Sequence, residues 1–303
     1  MSFAYDELKG FFPPTAEAQI RDDFKSRCVL CTTSLSPDQG ICVPILRDVQ
    51  AWNICERALY TDSCEVRGPL NGLLSCDDCC KFLADSEDGD AERLAILIPC
   101  LPLLVYVNRV LNGLRDKPME GRLQTFDQIL EDLEKDPGST TERRAASPFL
   151  HCFQIQPLDN LTPRYPQETS RILLRDAPPS CIINGKSYRI IDTATVDPSD
   201  DARLQARTQE ISISDSAPVD GDTEVNLWRI PRRSAGLFMG VAEQVSPLPS
   251  GDSELYKYLK SVQALSWYRR SLRTEEIPRH ASVRAQFERL ELEIESGGVD
   301  VLS

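Results

Sequence analysis

Two pairs of cysteines carry most of the chemistry in this chain. Cys28-x2-Cys31 is followed, after 44 intervening residues, by Cys76-x2-Cys79. A Cys-x2-Cys turn points two thiolates at one centre, and two such turns supply the four sulfurs that Zn²⁺ takes in a closed structural site. The separation is longer than in a zinc ribbon. The alternative is four unrelated cysteines in a chain that holds 11, with Cys42, Cys55, Cys64 and Cys80 interleaved among them. An odd count in a reducing compartment points to metal binding or burial rather than to a disulfide framework.

The other candidates are weaker. The chain has only two histidines, His151 and His280. His151 and Cys152 are adjacent, so on a strand their side chains point apart, and no nucleophile elbow accompanies them. The acidic clusters at 85–92 and 197–201 lack the spacing and glycine of a calcium loop and read as solvated loops. No GxGxxG, P-loop or HExxH motif occurs. Between Arg229 and Arg273 eight basic residues face three acidic ones, with Trp228, Tyr256, Tyr258, Trp267 and Tyr268 among them. Such a segment could hold a single strand by stacking and phosphate pairing, or it could be a helix with an aromatic core face and a solvated basic face.

Charge and composition narrow the classes further. The 303 residues carry a formal charge of −13, and residues 1–100 alone hold 17 Asp and Glu against 9 Lys and Arg. A surface of that sign repels a duplex, which makes nucleic acid a doubtful partner and leaves a protein partner open. Apolar residues make up 41% of the chain, enough for a sizeable core. The longest apolar run, Leu94 to Val107, is 14 residues and contains Pro99 and Pro102, too short for a membrane span. With a mixed, signal-free start at Met1, the expected location is intracellular, cytoplasmic or nuclear, with no membrane partner.

The elements that must position the cysteines read as β, β, α. Residues 15–27, behind Pro13-Pro14, predict a helix that delivers the chain to Cys28. Residues 28–30 and 41–46 predict a hairpin around the turn-rich 34–40 segment. Residues 71–83 open with an Asn-Gly turn and then favour a helix with Asp77 and Asp78 in its first turn. Beyond it, 94–107 is buried strand or helix, and 122–135 is an amphipathic helix presenting Leu123, Phe126, Leu130 and Leu133, stopped by Pro137-Gly138. Residues 180–191 predict a hairpin with a type I′ turn at Asn184-Gly185. The Asp-, Ser- and Pro-rich stretch 197–224 reads as a linker, and 253–273 and 281–295 as helices. The predicted class is α+β, with a small N-terminal ββα element, an added β-hairpin region and a helical C-terminal region. The spans are 15–118, 119–196, the acidic linker 197–224, and 225–296.

Residues 23–114 resemble the HNH (ββα-metal, His-Me finger) endonuclease domain, particularly the HNH-type domains of fungal proteins. The likeness rests on Arg27-Cys28-Val29, on Gly40-Ile41-Cys42-Val43-Pro44, on Asn71-Gly72-Leu73-Leu74 and on the apolar stretch with Tyr106. It also extends to zinc-stapled HNH relatives, in which one Cys-x2-Cys precedes the histidine strand and another follows the Asn. The resemblance implies that Asn71 takes the place of the Asn that orients the catalytic loop, and that Cys80 takes that of a ligand of the catalytic metal. Ile41 falls where the family has its general-base His, and isoleucine cannot take a proton. A thiol at Cys80 favours zinc over the hard Mg²⁺ or Mn²⁺ of a hydrolytic site. The expectation is a degenerate HNH-like protein, without nuclease activity, serving as a scaffold or interaction module. The rivals are an active metal-dependent HNH endonuclease that hydrolyses DNA and a zinc-binding regulatory protein unrelated to HNH.

Overall fold

Pro13 and Pro14 cannot continue a preceding helix but are well placed to begin one, and helix α1 spans Pro14–Asp23. It is shorter than the predicted 15–27. Lys25 and Ser26 adopt left-handed backbone (φ 51° and 53°), and the Ser26 N–H closes the helix on the Arg21 carbonyl at 2.8 Å. This is a computed structural model, and it describes residues 8–47, 54–55, 58–61, 65–83, 94–115, 124–158, 171–174, 178–192, 209–212, 224–231, 233–244 and 254–271. The predicted helix at 281–295, the acidic clusters at 85–92 and 197–201, Cys64, Leu123 and His280 lie outside those residues.

The β, β, α order is present, but its strands differ from those predicted. Strand β1 (Ile41–Pro44) pairs antiparallel with β2 (Gly72–Ser75), Ile41 opposite Ser75 and Pro44 opposite Gly72. Helix α2 follows at Asp77–Leu83. Residues 28–30 are therefore not the first strand of a hairpin with 41–46, and a strand occupies Gly72–Ser75, where only a turn was expected ahead of the helix; Asp77 and Asp78 are in the helix's first turn, as expected. Both differences have one cause. Gly72-Leu73-Leu74-Ser75 is buried on both faces, so it shows none of the alternation that marks a half-buried strand. Gly72 is required there, because any Cβ would collide with the Ile20 side chain of α1.

The chain forms two compact units, each assembled from stretches distant in sequence. The first comprises Met1–Arg47, Cys64–Ile98 and His151–Ser234. Besides the ββα element it holds a five-stranded sheet of β3 (Ala95–Pro99), β4 (Cys152–Pro157), β6 (Cys181–Ile183), β7 (Lys186–Asp192) and β9 (Val225–Arg229). Their order is β3-β4-β9-β7-β6, with β9 antiparallel to β4 and parallel to β7. The hairpin of β6 and β7 turns at Asn184 and Gly185, both at positive φ (51° and 77°), as a type I′ turn requires. A separate ribbon pairs β5 (Arg171–Leu174) with β8 (Gln209–Ser212). The stretch read as a linker thus contains a strand whose partner lies far back in the chain. The rest of 197–223 is outside the described residues.

The second unit comprises Asp48–Ser63, Pro99–Leu150 and Ala235–Ser303. Its described helices are α3 (Leu101–Arg115), α4 (Phe126–Lys135), α5 (Thr141–Ala146), α6 (Ala235–Gln244) and α7 (Glu254–Ser271). The apolar run from Leu94 divides into β3 and α3, because Pro99 ends the strand and Pro102 is tolerated in the first turn of the helix. Thr125 and Gln128 form a capping box at the start of α4, which explains why the helix begins at Phe126 rather than at 122. α3 packs on α7, where the Ser261 hydroxyl donates to Asn108 Oδ1 at 2.7 Å. Among the described residues no helix is long and apolar enough to cross a membrane.

Candidate metal centre

The first cysteine pair sits on a turn that its own backbone closes. The Cys28 N–H donates to the Thr33 carbonyl at 2.9 Å and the Thr32 N–H to the Cys28 carbonyl at 3.0 Å. Thr32 has φ 62°, a costly conformation for a β-branched residue. Two contacts offset that cost. Its hydroxyl donates to the Cys31 carbonyl at 2.7 Å, and the buried Arg27 guanidinium donates to the Thr32 carbonyl at 3.1 Å. The turn is fixed at two further points: the Val29 N–H donates to the Leu74 carbonyl of β2 at 2.8 Å, and the buried Trp228 indole of β9 donates to the Leu30 carbonyl at 3.0 Å.

The second pair comes from the junction of β2 and α2. The Cys79 and Cys80 N–H groups donate to the Cys76 carbonyl at 3.1 and 2.9 Å, which winds Cys79 back toward the side on which Cys76 leaves the strand. The four sulfurs of Cys28, Cys31, Cys76 and Cys79 all lie within 4.8 Å of one another, and those of Cys31 and Cys76 are 3.6 Å apart. Zn–S bonds near 2.3 Å in a tetrahedron require sulfurs about 3.8 Å apart. The cluster therefore fits a metal ion. Cys28, Cys31 and Cys79 are buried and Cys76 is half-buried.

The electrostatics explain what such an ion would do. Left to themselves the four sulfurs divide. Burial holds the Cys28 thiol well above its ordinary range, and hydrogen bonding to the Cys28, Cys31 and Cys76 sulfurs holds Cys79 up. Cys31 and Cys76 are pulled down, each most strongly by its hydrogen bond with Cys28. Four thiolates at this spacing repel one another in a low dielectric, and a central divalent cation removes that penalty for all four. The Thr33 hydroxyl, 3.1 Å from Cys31 Sγ, is placed to donate to the thiolate, the outer-shell contact that orients a ligand. With four sulfurs the set is closed, so the ion would hold the fold and would have no open position for a reactive water.

Comparison of the chain with family models, with curated proteins and with solved structures finds no match. The site is therefore read from its own residues. Cys80, grouped with the cysteine ligands from the sequence, is outside the four-sulfur cluster: it is buried on α2, and burial followed by the Asp77 charge pushes its thiol up to about 12. Ile41 is buried in β1, against which α2 packs. Asn71 is fully buried, and its side chain is committed to the chain itself. Its Oδ1 accepts from the Leu46 N–H at 2.9 Å, and its Nδ2 donates to the Leu46 and Val66 carbonyls, both at 2.7 Å.

Several described members of the basic and aromatic segment are buried or engaged within the fold. Trp228 and Arg233 are buried in the first unit, and Arg233 pairs with Asp23 at 2.9 Å. Arg269 is buried in the second unit and donates to the Gln124 carbonyl at 2.9 Å, and Trp267 donates to Glu243. The side chains of Arg232, Arg270 and Arg273 are outside the described residues. Sequence reasoning missed Arg27, Thr32 and Trp228 as supports of the centre. Arg27 and Thr32 flank the first pair and were within reach of a close reading. Trp228 was not, since nothing local ties it to Leu30.

Proposed function

We propose that this chain is built on a zinc-stapled ββα module of degenerate HNH type that acts as a scaffold or interaction module and does not hydrolyse nucleic acid. The observation that carries the reading is the convergence of Cys28, Cys31, Cys76 and Cys79 within 4.8 Å at the point where β2 enters α2. Cysteine-only ligation favours zinc among the divalent ions available to a protein, and it favours a structural role.

What the residues lack supports the second half of the reading. Proton abstraction from water needs a base, and the position that the HNH resemblance assigns to it holds Ile41, buried in β1. A hard metal needs oxygen or imidazole ligands, and Cys80 offers a buried neutral thiol. Asn71 has its amide engaged by Leu46 and Val66, which suits a loop-orienting role and leaves it no group for substrate. The negative balance of residues 1–100, 17 acids against 9 bases, adds a repulsive field.

Two measurements on the purified full chain test this. Elemental analysis is expected to return one zinc per chain, and supercoiled plasmid or single-stranded DNA is expected to stay intact with Mg²⁺, Mn²⁺ or Zn²⁺. Cutting that salt suppresses and Cys80→Ala abolishes would overturn the reading and return the protein to the nucleases.

A further inference from the structure

Two features of the four-sulfur cluster matter for redox chemistry. Cys31 and Cys76, which belong to different turns, have their sulfurs 3.6 Å apart. Cys76 is also the half-buried member of a cluster whose other three cysteines are buried. We propose that Cys76 is a peroxide-modification site, and that its oxidation joins it to Cys31 in a disulfide that expels the metal. The inference rests on the metal reading above only for the ion that is lost.

The chemistry is a two-electron oxidation. The Cys76 thiolate attacks one peroxide oxygen, the O–O bond breaks, and hydroxide leaves to take a proton from solvent, giving a sulfenic acid and one water. The Cys31 thiolate then attacks the Cys76 sulfur. The S–O bond breaks, the departing hydroxide takes a second solvent proton, and the S–S bond forms. In total two thiolates and two protons reduce one peroxide to two waters. Two sulfurs, those of Cys28 and Cys79, cannot hold the ion in a closed site, so it leaves.

The choice of pair has a structural consequence. A bond within either Cys-x2-Cys turn would leave the two turns unconnected once the metal is gone. A Cys31–Cys76 bond links the same two segments that the metal links, so one covalent staple replaces the other. Entry from the Cys76 side also follows from burial, because peroxide must reach the first sulfur before a second can resolve it.

The test uses the full chain carrying Cys181→Ser, which removes the exposed thiol of β6 and leaves the cluster unchanged. The reduced, zinc-loaded protein is treated with hydrogen peroxide, and zinc release, intact mass and the disulfide-linked peptides are followed. The expected result is one equivalent of zinc released, a loss of about 2 Da from the metal-free chain and a Cys31–Cys76 peptide. Dithiothreitol with added zinc should reverse all three. The oxidised chain should also melt above the reduced, chelated one. A Cys28–Cys31 or Cys76–Cys79 peptide, or irreversible sulfinic acid at Cys76 with no cross-link, would overturn the proposal. A reduced chain that carries no zinc refutes the metal reading alone, and the peptide map then still decides the redox one.

Discussion

Replacing Asn71 with alanine separates a strut from a reacting group. Its side chain makes three hydrogen bonds, to the Leu46 N–H, the Leu46 carbonyl and the Val66 carbonyl, from a position with no solvent exposure. Truncation leaves all three partners without it, and each buried group so orphaned costs about 1–3 kcal/mol. The Val66 carbonyl is at the partly exposed end, where water can replace the amide, so the lower part of the summed range applies, about 3–5 kcal/mol. For a folding unit of this size that is a fall of about 6–20 °C in the thermal midpoint. Circular dichroism melts of Asn71→Ala against the parent, with bound zinc measured on the same samples, read it directly. Asn71→Asp sharpens the test. It keeps the acceptor for Leu46 but aims a carboxylate at two carbonyls, which raises its pKa, so its stability should be lowest at neutral pH and recover as the group protonates on acidification. A midpoint within about 2 °C of the parent for Asn71→Ala, which corresponds to less than about 1 kcal/mol, would refute the strut and reopen a chemical role.

Cys79→Ser should abolish zinc binding, whereas Cys42→Ser, outside the four-sulfur cluster, should keep one ion per chain by elemental analysis. Asp23→Ala leaves the Arg233 guanidinium, buried and also bonded to the Gly72 carbonyl, without its carboxylate, and should cost about 3–5 kcal/mol in urea unfolding. Burial holds the Cys42 and Cys152 thiols up to about 11, so folding favours their neutral form. Their contribution is complete below the ordinary thiol range near about 8.5 and is lost as pH rises toward 11, so the urea midpoint should fall across that window, and by less in Cys152→Ala.

What could be read from the sequence divides along a physical line. The four cysteines were legible because two Cys-x2-Cys turns are local devices, and the Asn184-Gly185 hairpin was legible because positive φ at both central residues is a local demand. β2 was missed because Gly72–Ser75 is buried on both faces and its identity as a strand comes from Ile41–Pro44 on the far side of a long connection. β8 was missed for a related reason. Its four residues sit among Asp and Ser, and only pairing with Arg171–Leu174 makes them a strand. Arg233 reads in sequence as one of a basic group, and only the fold brings Asp23, Phe24 and the Gly72 carbonyl to it.

The ββα element itself shows why a staple and a strut belong together. Its strands are four residues each and its helix seven, sizes at which neither a hairpin nor a helix is stable alone. The connection between the strands runs from Ile45 to Asn71, and Asn71 closes it by holding Leu46 at one end and Val66 near the other, while the Ile45 N–H donates to the Asn71 carbonyl at 2.7 Å. A metal held by the four cysteines would close the other side, joining the turn before β1 to the start of α2. Each constraint acts on a different loop, and loss of either frees a segment whose ordering entropy the small apolar core of the element must then offset alone. Ile41 packs in β1 as a buried apolar residue and contributes to the core of the element. Asn71 and the four cysteines contribute differently, through hydrogen bonds to the chain and through a cluster that could hold a metal ion. Asn71 is therefore accounted for by what it does for the fold alone, and its loss should register first in stability.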